Sequence, residues 1–484
     1  MRAILCAAAT TAALCFSTMA QAQDATLTAR DGALAVSGRL ISFDGLVYRI
    51  DTQWGRLSVN AAAVDCDGPG CPDLTRFAPE LRIAAEPWLA DRVLLPLVHS
   101  FARSEGLTLT ETPDLLELSR GDRPELRLRL LPLGGPAAPV LEAEAADAAL
   151  SAEGRIVARL PLALTTAADA PPGLLSLSAL RAQRQQGGGW EALGRELRPL
   201  VWHSTPPGSA LDRSAETALG PVSGEMRRAA TPEAVAAALG HDPWGAAILP
   251  LPLAAGLIAR DLQQDCGLVL DLSPFAAAAG DHALLLPVGW MESGRPLPPA
   301  ARAFADHLVS PAAQTALGAA GMPAPSAQWR RPLSDQGIRL ANALRDSNPE
   351  LTRANLQTAL ALLDGAARLA LTFRFDERSG ALDSASAQAL RSLSDSLAAG
   401  STQGHEVLLI GFTDSTGPAE RNLTAARIRA EAVLTALEAI TPDLPPGTRL
   451  RAEALGEAFP LACDDSQTGR QLNRRVEVWL RPQP

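Results

Sequence analysis

The chain has 484 residues, 47% of them hydrophobic and 20% charged, and its formal net charge is −10 at pH 7. Two or three domains are expected, because a single hydrophobic core stops growing beyond ~250–300 residues. The acidic balance excludes functions that need a basic face, above all nucleic-acid binding. It also argues against electrostatic attraction to anionic lipid.

Residues 1–22 have the pattern of a cleavable signal peptide. Arg2 supplies a positive charge, Ala3 to Phe16 form an apolar run, and Ala20-Gln21-Ala22 match a small-x-small cleavage site. The apolar run is shorter than the ~20 residues that cross a bilayer. We therefore predict export to the periplasm and a mature chain without a transmembrane segment.

Residues 23–75 predict a small β-rich module. Short runs alternate apolar and polar residues, and Asp31-Gly32 and Asp44-Gly45 are hairpin turn signals. We expect three to five strands. Because so small a module needs every large apolar side chain for its core, the aromatic residues are assigned to that core, namely Phe43, Tyr48 and Trp54.

Four cysteines remain after removal of the signal peptide. Cys66 and Cys71 flank Asp-Gly-Pro-Gly, a turn-forming insert that can bring the two sulfurs together. In an oxidising compartment we expect them to form a disulfide. A metal site is disfavoured, because neither a second cysteine pair nor a nearby histidine completes it. Cys266 and Cys463 fall in different predicted domains, and the sequence does not assign their state.

From about Leu81 the pattern changes to alternating strands and helices. The spacing of apolar residues predicts a strand over 81–85, a helix over 89–102 and a strand over 107–111, which together suggest a βαβ unit. Further elements are predicted at 232–239 (helix), 246–251 (strand) and 299–317 (one long helix).

Six segments in consistent order carry a family resemblance: 82–98, 146–154, 189–194, 207–212, 265–275 and 304–321. Through them, residues 80–327 resemble the periplasmic solute-binding proteins of the phosphate-binding type. The resemblance implies two α/β lobes that close on an oxyanion. In that family the oxyanion is held by serine and threonine hydroxyls and by backbone amides at helix N-termini.

The anion loops depart from the family pattern. Glu86 and Trp88 stand in the first loop, where the family has hydroxyl donors, and Glu86 would repel phosphate. The second loop keeps Ser151 but follows it with Glu153, and the third keeps Ser209. Tight phosphate binding is therefore disfavoured. Two alternatives stay open for this cleft. One is another small ligand, a cation or amine attracted by Glu86 or Glu153 and packed on Trp88; the other is a structural or partner-binding role with no small ligand.

Residues 328–364 predict a linker followed by a connecting helix. Residues 368–482 then predict a βαβαββ domain, with strands at 371–375, 407–412, 449–455 and 476–480 and helices at 382–397 and 419–440. The predicted fold class is thus multidomain: a small β module, a two-lobed α/β region and a C-terminal α/β domain.

The C-terminal domain carries ordered motifs: 373–382, Thr413-Asp414, Asn422, Arg429-Ala-x-x-Val433, 453–465 and 469–480. With these it resembles the peptidoglycan-binding domain of the OmpA-like family. Aligning Arg427 instead of Arg429 would lose the Asn422 spacing, so Arg429 is preferred.

The resemblance implies a ligand, the diaminopimelate of the peptidoglycan stem peptide. Asp414 would take its ammonium and Arg429 its carboxylate. Thr413 and Asn422 would orient the loop or add hydrogen bonds, and Arg474 or Arg475 would line the rim. The alternative role of Asp414 and Arg429 is a salt bridge that only fixes the loop.

Neither a nucleophile with its base nor a metal cluster is visible in the sequence, so no enzyme activity, cofactor or metal is predicted. We expect a periplasmic protein associated with the cell wall and outer membrane of a Gram-negative bacterium, with peptidoglycan as its anchor and a small ligand in the middle domain. The alternatives are an envelope assembly protein whose middle domain binds another protein, and a phosphate-uptake receptor.

Overall fold

The computed structural model describes residues 24–74, 76–170, 173–282, 284–322, 326–345, 353–375, 381–441 and 444–483. The predicted signal peptide lies outside these ranges. The described chain forms several separate sheets, with helices around the eleven-stranded sheet and the C-terminal five-stranded sheet, so the predicted multidomain α/β class is confirmed.

The strands follow in chain order: β1 Asp24–Ala29, β2 Ala35–Phe43, β3 Val47–Thr52, β4 Gly55–Asn60, β5 Val64–Asp67, β6 Glu80–Ala85, β7 Thr108–Glu111, β8 Leu115–Arg120, β9 Arg123–Pro132, β10 Ala148–Ser151, β11 Arg155–Thr166, β12 Leu175–Ser176, β13 Val201–Ser204, β14 Met226–Arg228, β15 Gly245–Pro250, β16 Ile258–Arg260, β17 Leu262–Gln263, β18 Leu285–Glu292, β19 Ser326–Pro332, β20 Ala367–Phe373, β21 His405–Phe412, β22 Arg449–Gly456 and β23 Arg475–Pro482.

The helices are α1 Pro87–Leu89, α2 Leu95–Glu105, α3 Ala138–Glu142, α4 Leu177–Gln186, α5 Ala210–Leu219, α6 Pro232–Gly240, α7 Pro274–Ala279, α8 Pro299–His307, α9 Pro311–Ala319, α10 Gly337–Arg345, α11 Arg353–Leu363, α12 Ser384–Ala398, α13 Ala419–Ile440 and α14 Gln467–Asn473. A π-helical segment, Ala90–Leu94, joins α1 to α2.

The N-terminal module is an antiparallel sheet of five strands in the order β4-β3-β2-β1-β5. The disulfide between Cys66 and Cys71 closes the loop after β5. Tyr48 is buried in the core, as expected, and Phe43 packs against it. The prediction for Trp54 is wrong: it is 68% exposed, because it lies in the β3–β4 hairpin turn.

An eleven-stranded sheet forms the middle of the molecule, in the order β14-β13-β15-β11-β18-β10-β6-β9-β8-β7, with β16 also on β11. The long strand β11 pairs with β18 through its first half and with β15 through its second. One strand therefore links the two halves of the sheet. The expected βαβ unit differs in detail: β6 is parallel to β9 and β10, whereas β7, the strand after α2, pairs antiparallel with β8.

The predicted long helix over 299–317 is two helices, α8 and α9. Ser310 caps α9 by accepting a hydrogen bond from Ala313 N, and Pro311 occupies the first helical turn. A proline in the interior of one continuous helix would lose a backbone hydrogen bond and clash with the preceding turn. The Ser-Pro pair therefore starts a new helix.

The C-terminal sheet has the order β19-β20-β23-β21-β22, with α12 and α13 packed on it. Its strands and long helices follow the predicted βαβαββ order. The outermost strand, β19, comes from the chain around the start of the predicted linker and pairs antiparallel with β20. The first part of the segment expected to be a linker thus contributes to this sheet.

A second disulfide joins the middle region to the C-terminal sheet region. Cys266 and Cys463, separated by 197 residues, are bonded. Beside this bond, Gln264 Oε1 accepts a hydrogen bond from Cys463 N at 2.9 Å. The two regions are therefore covalently cross-linked at a second point.

Buried ion pairs extend the same junction. Glu477 accepts hydrogen bonds from Arg339 at 2.9 Å and Arg475 at 2.7 Å, and Arg368 lies 3.2 Å from it. Arg368 also pairs with Asp281 of the middle region. Burial alone would raise the pKa of Glu477, but the three guanidiniums outweigh burial and hold that pKa far below its usual range. The ion pair between Arg368 and Asp281 thus connects the C-terminal region to the middle region.

Candidate functional site

The loop that carries Thr413 and Asp414 is placed by close packing of β21 against α13. A Cβ atom on Gly411 would lie 2.0 Å from the carbonyl oxygen of Ala426, so only glycine allows this approach. The loop leaves β21 at its C-terminal end, and the backbone N–H of Thr413 donates to Gly456 O at 2.8 Å. The loop is thereby held to the end of β22, while α13 packs closely on β21 through Ala426.

Asp414 is a nearly buried carboxylate with few partners. It is 7% exposed. Its Oδ1 accepts a hydrogen bond from Thr416 N at 3.0 Å, and its Oδ2 lies 3.5 Å from Arg474 Nε. One oxygen therefore braces the loop, and the other faces a cation at the long end of ion-pair distances.

Arg429 approaches the same place from nearly three turns inside α13. Burial lowers its pKa, neighbouring Arg474 lowers it further, and Asp414 opposes the shift. Its Nη1 is buried without a hydrogen-bond partner in the described part of the chain, and so is Oγ1 of Thr413. Buried donors without acceptors cost ~1–3 kcal/mol each. The loop mouth therefore combines one carboxylate with unsatisfied donors.

Asn422 does not face the loop mouth as a free donor. It is 8% exposed, and its Nδ2 donates to the carboxylate of Glu457 and lies 3.5 Å from Gly417 O. Its amide ties the helix to the loop before α13 and to the segment after β22. Asn422 is therefore in a position to orient the loop, the first of the two roles considered for it.

Sequence reasoning missed Asp464 as a residue of this site. Its Oδ2 accepts from both N and Oγ of Ser415 at 2.6 Å. Its Oδ1 accepts from Asn473 Nδ2 at 2.8 Å. Asp464 thus secures the far side of the loop, a contact across 49 residues that no local pattern reveals.

The structure corrects the position of Arg475. Its side chain is fully buried, pairs with Glu477, donates to Phe459 O at 2.9 Å and stacks on Phe412 at 4.2 Å. Burial lowers its pKa to about 10. The arginine near the loop mouth is the preceding one, Arg474, which follows α14 just before β23 and whose Nε lies 3.5 Å from Asp414 Oδ2.

Three of the four candidate cleft residues meet at the start of α5. Glu86 is 6% exposed, and its Oε1 accepts from Ala210 N at 2.5 Å. Its Oε2 accepts from Trp88 Nε1 at 2.8 Å. Ser209 caps α5, and its hydroxyl also lies 2.6 Å from Thr205 Oγ1. A carboxylate of the chain itself therefore occupies the positive end of this helix.

Two cleft residues are not available as predicted. Trp88 is buried in the core, so it presents no stacking surface. Ser151, at the end of β10 beside β6, is 2% exposed; its hydroxyl faces Met291 Sδ at 3.7 Å and accepts from Glu153 N at 3.2 Å. Its hydroxyl is thus engaged locally, one strand away from Glu86.

Within the described ranges, no cluster of three or more histidine, cysteine or acidic residues is arranged to hold a metal ion. Over the same ranges, none of the helices combines the length and apolarity required to cross a membrane.

The loop and helix that form the Asp414 site lie within a family match. The model of the OmpA family matches residues 374–474, which confirms the C-terminal resemblance. Over 76 residues the chain is 41% identical to the probable lipoprotein YiaD of Escherichia coli (strain K12). That alignment covers 16% of this chain and 33% of the relative, so it spans about a third of the relative's length.

Solved structures similar to the chain fall into two groups. A phosphate transport receptor from Vibrio cholerae is 14% identical, with a TM-score of 0.40, and covers 51% of this chain and 100% of its own. The peptidoglycan-associated lipoprotein of Burkholderia pseudomallei is 25% identical, with a TM-score of 0.20, and covers 23% of this chain and 89% of its own. The cell wall anchor of the type VI secretion system from Pseudomonas aeruginosa is also 25% identical, with a TM-score of 0.20. The match covers 28% of this chain and 100% of the anchor.

Proposed function

We propose that this chain is a non-catalytic protein of the bacterial cell envelope that binds peptidoglycan through Asp414 and Arg429. The observation that carries the proposal is the buried Nη1 of Arg429, which lacks an acceptor among the described residues although Asp414 lies close by. A ligand carboxylate would satisfy this donor, while a ligand ammonium would pair with Asp414. The centre of diaminopimelate that carries both groups fits this pattern.

The alternative role, an internal salt bridge that only fixes the loop, has less support. The ion pair recorded for Asp414 is with Arg474, and the loop is already fixed by Thr416 and by the Ser415–Asp464 contacts. If Asp414 and Arg429 only fixed the loop as a salt bridge, the buried N–H groups of Arg429 would be expected to have acceptors within the protein. The unsatisfied donor instead favours a bound ligand.

The test is sedimentation with purified diaminopimelate-type peptidoglycan sacculi. Wild-type protein is expected to sediment, and Asp414→Ala and Arg429→Ala are expected to stay in solution. Arg427→Ala is the matched control, because Arg427 lies two residues earlier on α13 and pairs with Glu453 at 3.6 Å. Loss of binding in the control but not in Arg429→Ala would transfer the role to Arg427 and contradict the proposal.

For the middle region, one observation favours the assembly alternative over a ligand receptor. The carboxylate of Glu86 fills the N-terminus of α5, and Trp88 is buried beneath it. A free oxyanion at this place would displace a buried, hydrogen-bonded carboxylate of the same charge. We therefore propose that this cleft holds no phosphate, and that the middle region serves the envelope by contacting another protein. Cross-linking in cells, followed by identification of the cross-linked partner, tests this second role.

A further inference from the structure

A groove at the junction between the middle region and the C-terminal sheet has a volume of about 310 Å³. That size lies at the lower end of small-molecule sites. Arg159 on β11 and His282 before β18 line it from the middle region. Arg374 after β20 and Gln471 on α14 line it from the other side.

Two guanidiniums converge in this groove. A Cβ atom on Gly280 would lie 3.4 Å from Arg374 Nη1 and 3.5 Å from Arg159 Nε. The two like charges are therefore close neighbours. Burial lowers the pKa of Arg159 to about 10, and Arg374 contributes to the shift. An arrangement of this kind is stabilised by an anion placed between the two groups.

Buried donors without acceptors line the same groove. His282 is 3% exposed, and its Nδ1 accepts from Leu284 N at 2.7 Å, so the proton of the neutral ring is on Nε2. No acceptor in the described chain reaches that Nε2, nor the buried Nε of Arg374. These N–H groups come from both sides of the junction, which is unusual for groups that serve only packing.

Carboxylates are present but do not balance the charge. Asp383 lines the groove and caps α12 by accepting from Ser386 N at 2.7 Å. Asp281 is shared between Arg368 and Arg374.

Glu477 and Asp271 bring the acidic groups of the network to four, because Asp271 interacts electrostatically with Arg368 and His282 and pairs with Arg331 at 2.7 Å. The arginines of the described network are six: Arg159, Arg331, Arg339, Arg368, Arg374 and Arg475. The network thus has two more positive than negative charges in a largely buried place, and a bound anion would offset part of that excess.

We propose that this junction groove binds a small oxyanion, of the phosphate or carboxylate class, between Arg159 and Arg374, with the Nε2–H of His282 as a further donor. The ligand would contact the middle region and the C-terminal region at once. It would therefore stabilise their junction, and its site is separate from both the Asp414 loop and the Glu86 cleft.

The test is an NMR titration of the full mature chain labelled with ¹³C at histidine Cε1. The signal of His282 is assigned by its loss in His282→Gln. Inorganic phosphate, sulfate and succinate are titrated separately against chloride at equal ionic strength. We expect at least one of the three oxyanions to shift the His282 signal in a saturable way, whereas chloride does not. Saturation by phosphate or sulfate alone assigns the phosphate class, and saturation by succinate alone assigns the carboxylate class.

Substitutions test whether the oxyanion binds between Arg159 and Arg374. Arg159→Gln is expected to weaken it about tenfold or more, because a charged hydrogen-bond partner is lost. Arg155→Gln, on the same strand but bonded to Ala305 O outside the groove, is the matched control and leaves affinity unchanged. Arg429→Ala leaves it unchanged as well. If Arg159→Gln does not fold, Arg374→Gln removes the other guanidinium. A wild-type chain in which no oxyanion moves the His282 signal overturns the proposal, as does equal weakening by Arg155→Gln.

Discussion

The carboxylate of Glu86 and the backbone N–H of Ala210 are 2.5 Å apart, although 124 residues separate them in the chain. The contact fixes the loop after β6 to the first turn of α5. Negative charge is favourable at a helix N-terminus. Glu86 therefore acts as an internal ligand of this helix.

Replacing Glu86 with alanine should lower the free energy of unfolding by about 2 kcal/mol, because Trp88 Nε1 and Ala210 N then lose their acceptor. Urea unfolding followed by tryptophan fluorescence measures this change. Glu153→Ala is the control, since Glu153 is exposed and a change within ~0.5 kcal/mol is expected. An unchanged stability in Glu86→Ala would show that the carboxylate is dispensable.

The same substitution should open the helix end to a free anion. We expect Glu86→Ala to bind inorganic phosphate when measured in an Arg159→Gln background, in which binding at the junction groove is weakened. Isothermal titration against the Arg159→Gln single variant gives the comparison. Failure of the double variant to bind phosphate would mean that Glu86 does not block an otherwise competent site.

Arg429→Met should separate binding from stability. Because burial disfavours the charged guanidinium and its Nη1 lacks a partner in the described chain, methionine should leave the free energy of unfolding unchanged within ~0.5 kcal/mol or raise it. Binding to sacculi should nevertheless be lost. A marked loss of stability would instead identify Arg429 as a structural group.

The pH dependence of stability should contain a contribution from His282. Burial lowers its folded-state pKa to about 4, more strongly than Asp271 raises it. Between pH 4 and the unfolded pKa near ~6.5, the unfolded chain binds more protons, so this contribution is complete above pH ~6.5 and is lost as the pH falls to ~4. It amounts to about 3 kcal/mol. Denaturant unfolding from pH 7 to 4 should show a shallower decline in His282→Gln than in wild type, and parallel curves would refute the assignment.

The two disulfides should contribute unequally to stability. The chain-entropy relation predicts that the bond closing 197 residues contributes about 3 kcal/mol more than the bond closing 5 residues. Guanidinium unfolding of Cys266→Ser/Cys463→Ser and of Cys66→Ser/Cys71→Ser tests this difference. A larger loss from the second pair would contradict it.

Local patterns predicted the C-terminal elements well. The helix expected at 419–440 has those bounds, because strand, loop and helix are consecutive and each has its own periodicity. The neighbouring arginines were harder to assign. The sequence offers both Arg474 and Arg475 for the rim, and only the packing of β23 shows that the side chain of Arg475 points into the core.

Contacts between residues distant in the sequence could not be predicted from local patterns. Glu86 with Ala210, Ser415 with Asp464 and Cys266 with Cys463 depend on the assembled fold. The break between α8 and α9 is a different case. Ser310-Pro311 is a local helix-start signal, and the amphipathic pattern continuing across it concealed the boundary.

The Cys266–Cys463 bond also has a mechanical consequence. A pulling force applied to the C-terminal sheet would reach the central sheet through one covalent cross-link and the adjacent buried ion pairs, and not only along residues 328–364. The segment in between would carry little of the load while the bond is intact. Reduction of that single bond would leave the buried ion pairs and the backbone to carry the force, so the two regions should separate at a lower force.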